Sequence, residues 1–267
     1  MTKGLKGKTA LVTGINNPQG IGAATAFALA GEGADLVLAY KRTAHSFDSR
    51  NTARNGLDRY HQVNAGDASA VEARLRAMNA DFLTIETDIT CTGHVVSLYD
   101  QAIARFGKVD ILVNNAAHAD DDDTIETLTE EAIDLTLGVN LRGTLLMIRE
   151  FVRRGGAGGS IVNLSTDAAQ VFSGQIVYGA SKAALEALTR SLAIDLAKYD
   201  ITVNCVAPGP TQTGWIDQAL EAAILPDMPL GRLIQPHEIA EAIVFLTSSR
   251  ARSITGQVIK VSGGHQL

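Results

Sequence analysis

Tyr178 and Lys182 lie one helical turn apart in the segment "YGASK", and side chains of these two types can transfer a proton. Residues spaced i and i+4 share one face of a helix. An ammonium group beside a phenol favours the phenolate, so we expect Lys182 to lower the pKa of Tyr178. Tyr178 would then donate or accept a proton nearer to neutral pH. Upstream, Ser165 ends the apolar run "SIVNLS", where its hydroxyl would point into the same crevice.

A glycine-rich segment near the N-terminus, "TGINNPQGIG", indicates a phosphate site. Gly14 allows a sharp turn after an apolar run, and Gly20 and Gly22 let the backbone approach a ligand. The next helix is predicted to begin at about Gly20, where its free N–H groups favour an anion such as pyrophosphate. The glycines are spaced more widely than in the G-x-G-x-x-G fingerprint, so a plain strand-to-helix turn stays an alternative.

Elements that would position these residues alternate along the chain. Continuous apolar runs, typical of strands buried on both faces of a parallel sheet, occur at 9–13, 35–40, 81–87, 109–114, 160–165, 201–206 and 257–261. Helical patterns lie between them. This alternation predicts one α/β domain over residues 1–267, a Rossmann-type doubly wound parallel sheet of about seven strands with helices on both faces. Ligands of such sheets bind beyond the carboxyl ends of the strands.

Composition excludes several classes of protein. The 267 residues carry a net charge of −6, which argues against a nucleic-acid partner. We expect no membrane segment and no signal peptide. Cys91 and Cys205 are expected to be buried reduced thiols, which fits a cytoplasmic location. We expect the acidic run Asp120 to Asp123 to be a solvated loop and predict no metal site.

Two segments depart from the regular alternation. Residues 42–66 are polar and without a sustained period, which predicts an atypical loop insertion that is either functional or mobile. Residues 212–231 are predicted to form a lid over the substrate. The apolar residues of this lid are Trp215, Leu220, Ile224 and Leu225. They would either form a roof over the substrate or serve as ordinary packing between two helices.

Landmarks in order along nearly the whole chain resemble the short-chain dehydrogenase/reductase family, in particular its 3-oxoacyl-[acyl-carrier-protein] reductase-like members. They are Thr13-Gly14 with Gly20-Ile21-Gly22, Asp88-Ile89, Asn114-Asn115-Ala116-Ala117, Asn140, Ser165, Tyr178-x-x-x-Lys182, Pro208-Gly209 with Thr211 and Thr213, and "ITGQVIKVSGG". The glycine loop resembles the family's TGxxxGxG with two added residues, "NP", which should leave Gly20 and Gly22 at the helix start. Ala117 stands where the family usually has Gly, and Ser262 stands where it often has Asp.

The resemblance implies hydride transfer between a nicotinamide and a ketone or secondary alcohol. Tyr178 would protonate the substrate oxygen, Ser165 would hydrogen-bond that oxygen, and Lys182 would bind the nicotinamide ribose. Asn140 would hold a water that links Lys182 to solvent. Asp88 would accept from the adenine amino group. The remaining residues implied at the cofactor are Gly14, Gly20, Ile21, Gly22, Ile89, Asn115, Ala116, Pro208, Gly209, Thr211 and Thr213.

The end of the second predicted strand bears on the choice between NADP and NAD. NAD enzymes commonly place an acid there, whereas this chain has Tyr40 followed by Lys41 and Arg42. Two cations can pair with a 2′-phosphate, and we expect no carboxylate there to repel it. NADP(H) is therefore favoured over NAD(H), although Gln19 stands where NADP enzymes often have a basic residue.

Other interpretations stay open. One is an NAD-dependent alcohol or sugar dehydrogenase of the same family. Another is a catalytically silent member of the family that binds a nucleotide. Such a protein would be expected to lose Ser165, Tyr178 or Lys182, and all three are present. Enoyl reductases also have widened glycine loops, but they carry six residues between tyrosine and lysine. We expect His118, Asp167 and Gln175 to border the substrate pocket, and a homotetramer, or failing that a dimer, to form through apolar helix faces.

Overall fold

The computed structural model describes residues 4–120 and 123–266. These residues form a seven-stranded sheet in which every neighbouring pair is parallel, in the order β3-β2-β1-β4-β5-β6-β7. The strands are β1 (Thr9–Thr13), β2 (Asp35–Tyr40), β3 (Phe82–Glu86), β4 (Ile111–Asn114), β5 (Ser160–Leu164), β6 (Thr202–Pro208) and β7 (Val258–Val261). The predicted doubly wound fold is confirmed.

Helices cover both faces of the sheet. They are α1 (Ile21–Gly31), α2 (Leu57–Asn64), α3 (Ser69–Ala77), α4 (Thr92–Phe106), α5 (Glu130–Leu137), α6 (Thr144–Arg153), α7 (Ile176–Leu196), α8 (Gln218–Ile224) and α9 (Pro236–Thr247). Successive residues of β1 enter different cores, because side chains of a strand alternate between its faces. Val12 packs with α1, α3 and α9, whereas Leu11 packs with α4, α6 and α7. This two-sided burial explains the continuous apolar runs in the strands.

The order of the strands reverses at β1, which pairs with β2 on one side and β4 on the other. The segments that follow β1 and β4 therefore turn to opposite faces of the sheet and leave a crevice beyond the carboxyl ends of these two strands. Gly14 and Asn115 directly follow these two strands. The fold thus brings the glycine-rich segment and the "NNAA" segment to the same crevice.

Three expectations about the connecting segments are wrong. Residues 42–66 are not wholly a loop, because they contain α2, a largely polar helix in which His61 is buried. Cys91 is exposed at the start of α4, whereas Cys205 is buried as expected. In the acidic run, Asp123 is buried, because its oxygens accept hydrogen bonds from α7. Asp121 and Asp122 lie outside the described residues.

None of the helices within 4–120 and 123–266 combines the length and the apolar character that a membrane crossing requires.

Candidate active site

The glycine-rich turn packs so closely that side chains cannot be added. A Cβ atom on Gly22 would lie 2.3 Å from the carbonyl oxygen of Gly14. One on Gly14, whose φ is +73°, would lie 2.9 Å from the Cα of Ala116. Gly20 forms the N-cap of α1 and has no side chain to cap the free N–H groups, and the first turn contains no acidic residue. This cradle fits the pyrophosphate of a dinucleotide.

The two extra residues leave the helix start in place, as predicted, since α1 begins at Ile21 directly after Gly20. Sequence reasoning missed what the asparagines of this turn do. The side chain of Asn17 accepts from the N–H of Gln19 at 2.9 Å and donates to the carbonyl of Thr213 at 3.0 Å. Asn16 donates to the carbonyls of Asn64 at 3.0 Å and of Gly66 at 3.1 Å. The widened turn therefore binds both the 42–66 segment and the predicted lid.

A hydrogen-bond network fixes the "NNAA" segment against β1. The hydroxyl of Thr13 accepts from the N–H groups of Asn115 and Ala116 at 3.0 and 2.9 Å. The side chain of Asn115 donates to the carbonyls of Thr13 at 2.8 Å and Gly14 at 2.9 Å. Asn115 thus shapes the wall of the crevice, and Ala116 lies half-buried beside it.

The two cations expected at a 2′-phosphate are present at the end of β2, but each is paired with a carboxylate. Lys41 lies 2.6 Å from Asp88, and Arg42 binds Glu86 through two hydrogen bonds of 3.0 and 2.6 Å. The expectation that no carboxylate lies there is wrong, because strand pairing places Tyr40 of β2 opposite Glu86 of β3. Any 2′-phosphate must compete with these carboxylates for the cations.

Asp88 is less free to accept from an adenine than predicted. Burial raises its pKa, but hydrogen bonds from Lys41 and Thr90 outweigh burial and hold the pKa of this carboxyl below its ordinary value. The following residue, Ile89, is buried against Gly143, where an added Cβ would come within 2.8 Å of it.

Lys182 and Tyr178 lie together in the first half of α7. The Nζ of Lys182 lies 5.4 Å from the centre of the Tyr178 ring and donates to the carbonyl of Leu164 at 2.8 Å. Burial lowers the pKa of Lys182 to about 8. Burial also raises the pKa of Tyr178, and the nearby Tyr60 and Asp167 raise it further.

The expected lowering of the Tyr178 pKa by Lys182 is therefore not found. The ammonium lies at the face of the ring, and removal of the phenolate from water costs more than that contact gains. The same burial makes the ammonium of Lys182 easier to deprotonate. Spacing on a helix predicted that the two side chains meet, but it did not predict how deeply they are buried.

Ser165 follows β5, is buried, and uses its hydroxyl hydrogen within the protein. Its Oγ donates to Oε1 of Glu186 at 2.8 Å. The Glu186 carboxylate is also buried and accepts from the Nε2 of Gln170 at 3.1 Å. Sequence reasoning missed Glu186, although its position one turn after Lys182 on the same helix was a usable signal.

Asn140 lies in a π-helical turn, Gly138–Gly143, between α5 and α6, and such turns frequently occur at functional sites. Its side-chain amide donates to the carbonyl of His118 and to the hydroxyl of Ser181, both at 2.9 Å. Its Oδ1 accepts from the N–H of His118 at 2.8 Å. Because both amide hydrogens are taken by protein groups, the side chain of Asn140 can bind a water only through the free lone pair of Oδ1.

The residues expected to border the pocket lie near the start of α7. His118 stacks on His45 with ring centres 5.8 Å apart, so the 42–66 segment reaches this border. Asp167 is buried and contacts Nδ1 of His265 at 2.8 Å, and burial raises its pKa despite that contact. Gln175 forms the N-cap of α7.

The predicted lid is joined to the 42–66 segment. The N–H of Gly56 donates to the carbonyl of Gly214 at 2.9 Å. Trp215 is exposed, whereas Ile216 and Met228 are buried. At the base of the lid, the hydroxyl of Thr211 donates to the carbonyl of Gly209 at 2.7 Å, and Gly209 packs against Ser262 beside Pro208.

Comparisons with known proteins match the chain over most of its length. Residues 60–266 match a family described as enoyl-(acyl carrier protein) reductase. An uncharacterized oxidoreductase of Methylorubrum extorquens is 35% identical over 97% of the chain and 98% of its own length. L-Xylulose reductase of Mesocricetus auratus is 34% identical over 99% of the chain and 98% of its own length. NADPH-dependent aldehyde reductase 2 of Arabidopsis thaliana is 35% identical over 97% of the chain and 94% of its own length.

Two solved structures share the whole fold. A blue fluorescent protein from a metagenomic library, in complex with NADPH, has a TM-score of 0.82 and 29% identity, covering 99% of this chain and 100% of that one. A 3-ketoacyl-(acyl-carrier-protein) reductase of Brucella melitensis, complexed with NADH, has a TM-score of 0.81 and 30% identity, covering 98% and 100%. Sequence, fold and crevice together show that this chain belongs to the short-chain dehydrogenase/reductase family of oxidoreductases.

Proposed function

We propose that the protein is an NADP(H)-dependent oxidoreductase that interconverts a ketone and a secondary alcohol, with Ser165, Tyr178, Lys182 and Asn140 as its catalytic residues. The observation that carries the proposal is the contact of buried Lys182 with Tyr178 beside Ser165, at the carboxyl end of the sheet. Bound NADP(H) supplies or accepts the hydride. The protein residues orient the substrate and move the proton.

Tyr178 would exchange the proton with the substrate oxygen, and its raised pKa keeps the hydroxyl protonated in the free protein. A protonated hydroxyl is the form that can donate to a carbonyl during reduction. Lys182, with a pKa of about 8, can gain or lose a proton near neutral pH. In the proposed relay, Tyr178 and Lys182 would pass a proton between the substrate oxygen and solvent, with Asn140 holding the water on that path.

The glycine cradle would bind the pyrophosphate through the first N–H groups of α1, and the wall formed by Asn115 and Ala116 would contact the adenosine. Lys41 and Arg42 would bind the 2′-phosphate after exchange from Asp88 and Glu86. Relatives support both cofactors, since one matched structure contains NADPH and another contains NADH. Preference for NADP(H) rests on the two cations at β2.

A panel assay tests the proposed activity. Ketones, aldehydes, secondary alcohols and polyols are incubated with each cofactor, and the absorbance of the reduced nicotinamide is followed. The panel includes sugars, because one relative is an L-xylulose reductase, and aldehydes, because another is an aldehyde reductase. We expect turnover of at least one carbonyl compound, faster with NADPH. Binding of NADP(H) without turnover across the panel would favour a silent nucleotide-binding protein.

We also propose a homotetramer. A groove of about 590 Å³ along α5, the π-helical turn and α6 is lined by leucines, among them Leu137, Leu141 and Leu145, and by the charged residues Asp134, Arg142 and Arg149. Ile194 on α7 is 78% exposed, although large apolar side chains are usually buried. Such faces are commonly covered in symmetric assemblies. Light scattering at micromolar concentration tests this, and a monomer would contradict it.

A further inference from the structure

A carboxyl group that the proposed reaction does not use lies two residues beyond Ser165. The backbone N–H of Ser165 donates to the carbonyl of Val206 at 2.8 Å. The N–H of Asp167 donates to the carbonyl of Pro208 at 2.9 Å, so the pairing of β5 with β6 continues past the end of β5. Side chains two residues apart on an extended chain point to the same face, with Cα atoms about 7 Å apart. Asp167 therefore points to the same face as Ser165.

Helix α7 covers this face of the sheet. The Oγ of Ser165 lies 2.8 Å from the Oε1 of Glu186 on this helix, and Tyr178 is about two turns nearer to the helix start. Burial raises the pKa of Tyr178, and the nearby Tyr60 and Asp167 raise it further, which agrees with a carboxyl group on the phenol's side of the crevice. Ser165, Tyr178 and Asp167 therefore border one pocket.

The C-terminal segment holds Asp167 in place. The Asp167 side chain is 3% exposed, and its Oδ2 lies 2.8 Å from the Nδ1 of His265. This segment is joined to the end of the lid, because the N–H of Leu230 donates to the carbonyl of Gly263 at 3.2 Å. The two oxygens of a carboxyl group offer about four lone-pair sites. His265 occupies one and the backbone of Ala168 another, so acceptor positions are left for a ligand.

We propose that Asp167 is a specificity-determining residue that accepts a hydrogen bond from a second hydroxyl of the substrate, on a carbon next to the one that reacts. The substrates would be α-hydroxy ketones and the corresponding vicinal diols. This inference rests on the proposed function and deepens it by naming the substrate class.

The spacing of the side chains supports this class. A separation of about 7 Å between Cα atoms fits two oxygens on neighbouring carbons, one bound at Ser165 and Tyr178 and the other at Asp167. Reduction of the carbonyl by NADPH, with the proton from Tyr178, gives the diol and NADP⁺, and the hydroxyl at Asp167 keeps its hydrogen. An ammonium in place of this hydroxyl would bring a second positive charge toward Lys182.

The test compares acetoin with methyl isopropyl ketone, which has a methyl group in place of the acetoin hydroxyl, each with NADPH. We expect kcat/KM of the wild type to be at least about tenfold higher for acetoin. In Asp167→Ala this ratio should fall by at least about tenfold, through a loss on acetoin alone. Asp167→Asn keeps an acceptor oxygen and should keep the ratio within about threefold of wild type.

His265→Ala separates substrate binding from packing of the C-terminal segment. This variant removes the contact with Asp167 but leaves the carboxyl group, so the rates for both ketones should fall by similar factors. Melting temperature and cofactor titration establish that each variant is folded, and Asp167→Leu replaces the alanine variant if that one is not. Equal losses on both ketones in the Asp167 variant, or a wild type that does not distinguish them, would overturn the inference.

Binding tests the inference if no compound of the panel is turned over. Titration calorimetry measures the affinity of each ketone for the complex of the protein with NADP⁺. Acetoin should bind the wild type more tightly than methyl isopropyl ketone, and Asp167→Ala should lose this advantage. That result without turnover would be a failure of the proposed function alone. Equal affinities in the wild type, or no binding of acetoin, would overturn the inference.

Discussion

The carboxylate of Asp123 accepts the backbone N–H of Tyr178 at 2.9 Å. Its other oxygen accepts the N–H of Val177 at 3.0 Å, so one buried side chain holds two donors in the first turn of α7. Helix N-termini leave such donors without partners inside the helix, and a negative charge there is favourable. The loop before α5 therefore fixes the backbone that carries the proposed catalytic tyrosine.

Loss of this cap should reduce both stability and turnover. We expect Asp123→Ala to lower the free energy of unfolding by about 1–2 kcal/mol, the usual effect of removing a helix cap, and to lower kcat more than it changes cofactor affinity. Asp123→Asn keeps an acceptor and should retain more of both. Denaturant unfolding and steady-state rates measure this, with exposed Glu126→Ala as the matched control. Equal behaviour of Asp123→Ala and the control would refute the capping role.

Asn17 should matter for the affinity of the cofactor. Asn17→Ala removes the bonds to Gln19 and Thr213 and so releases the lid from the glycine turn. We expect this variant to bind NADP and NAD about tenfold more weakly, with the same loss for both cofactors. A loss of this size is typical when a buried hydrogen bond is left unmade. Cofactor titration checks this against Asn51→Ala, an exposed asparagine of the 42–66 segment. A selective loss of NADP alone would be inconsistent with the lid contact.

Cofactor preference should depend on Lys41 and Arg42. In the Lys41→Ala, Arg42→Ala variant, NADP should bind at least about tenfold more weakly while NAD changes little, since only NADP carries the 2′-phosphate. The loss is limited because both cations already bind carboxylates. Glu86→Gln releases Arg42 and should change the preference in the opposite direction. If the double variant keeps its preference within about threefold, the 2′-phosphate lies elsewhere.

Burial of Lys182 should make stability depend on pH. Its pKa falls from 10.5 when unfolded to about 8 when folded, so the unfolded chain holds more protons between these values. Stability contributed by this group is therefore reduced below pH 8 and recovered as pH rises toward 10.5. Relative to Lys182→Met, wild type should gain up to about 3 kcal/mol from pH 7 to 10. Urea unfolding at a series of pH values measures it, and a constant difference would contradict the burial.

The sequence predicted the fold and the meeting of Tyr178, Lys182 and Ser165, because apolar runs and helical spacing are local signals. It did not predict the partners that come from distant segments. Glu86 reaches Arg42 through strand pairing, and Asp123 reaches α7 through the packing of a loop. The pKa of Tyr178 was predicted in the wrong direction for the same reason, since burial depends on all the surrounding elements.

The central claim is that Tyr178 exchanges the proton with the substrate, and Tyr178→Phe tests it most directly. This variant removes one hydroxyl and keeps the ring that packs on Phe172. On the best substrate of the panel we expect kcat to fall by at least about a hundredfold, the scale of lost acid–base catalysis, while NADP(H) affinity stays nearly unchanged. A variant that binds the cofactor and retains most of its turnover would contradict the role of Tyr178.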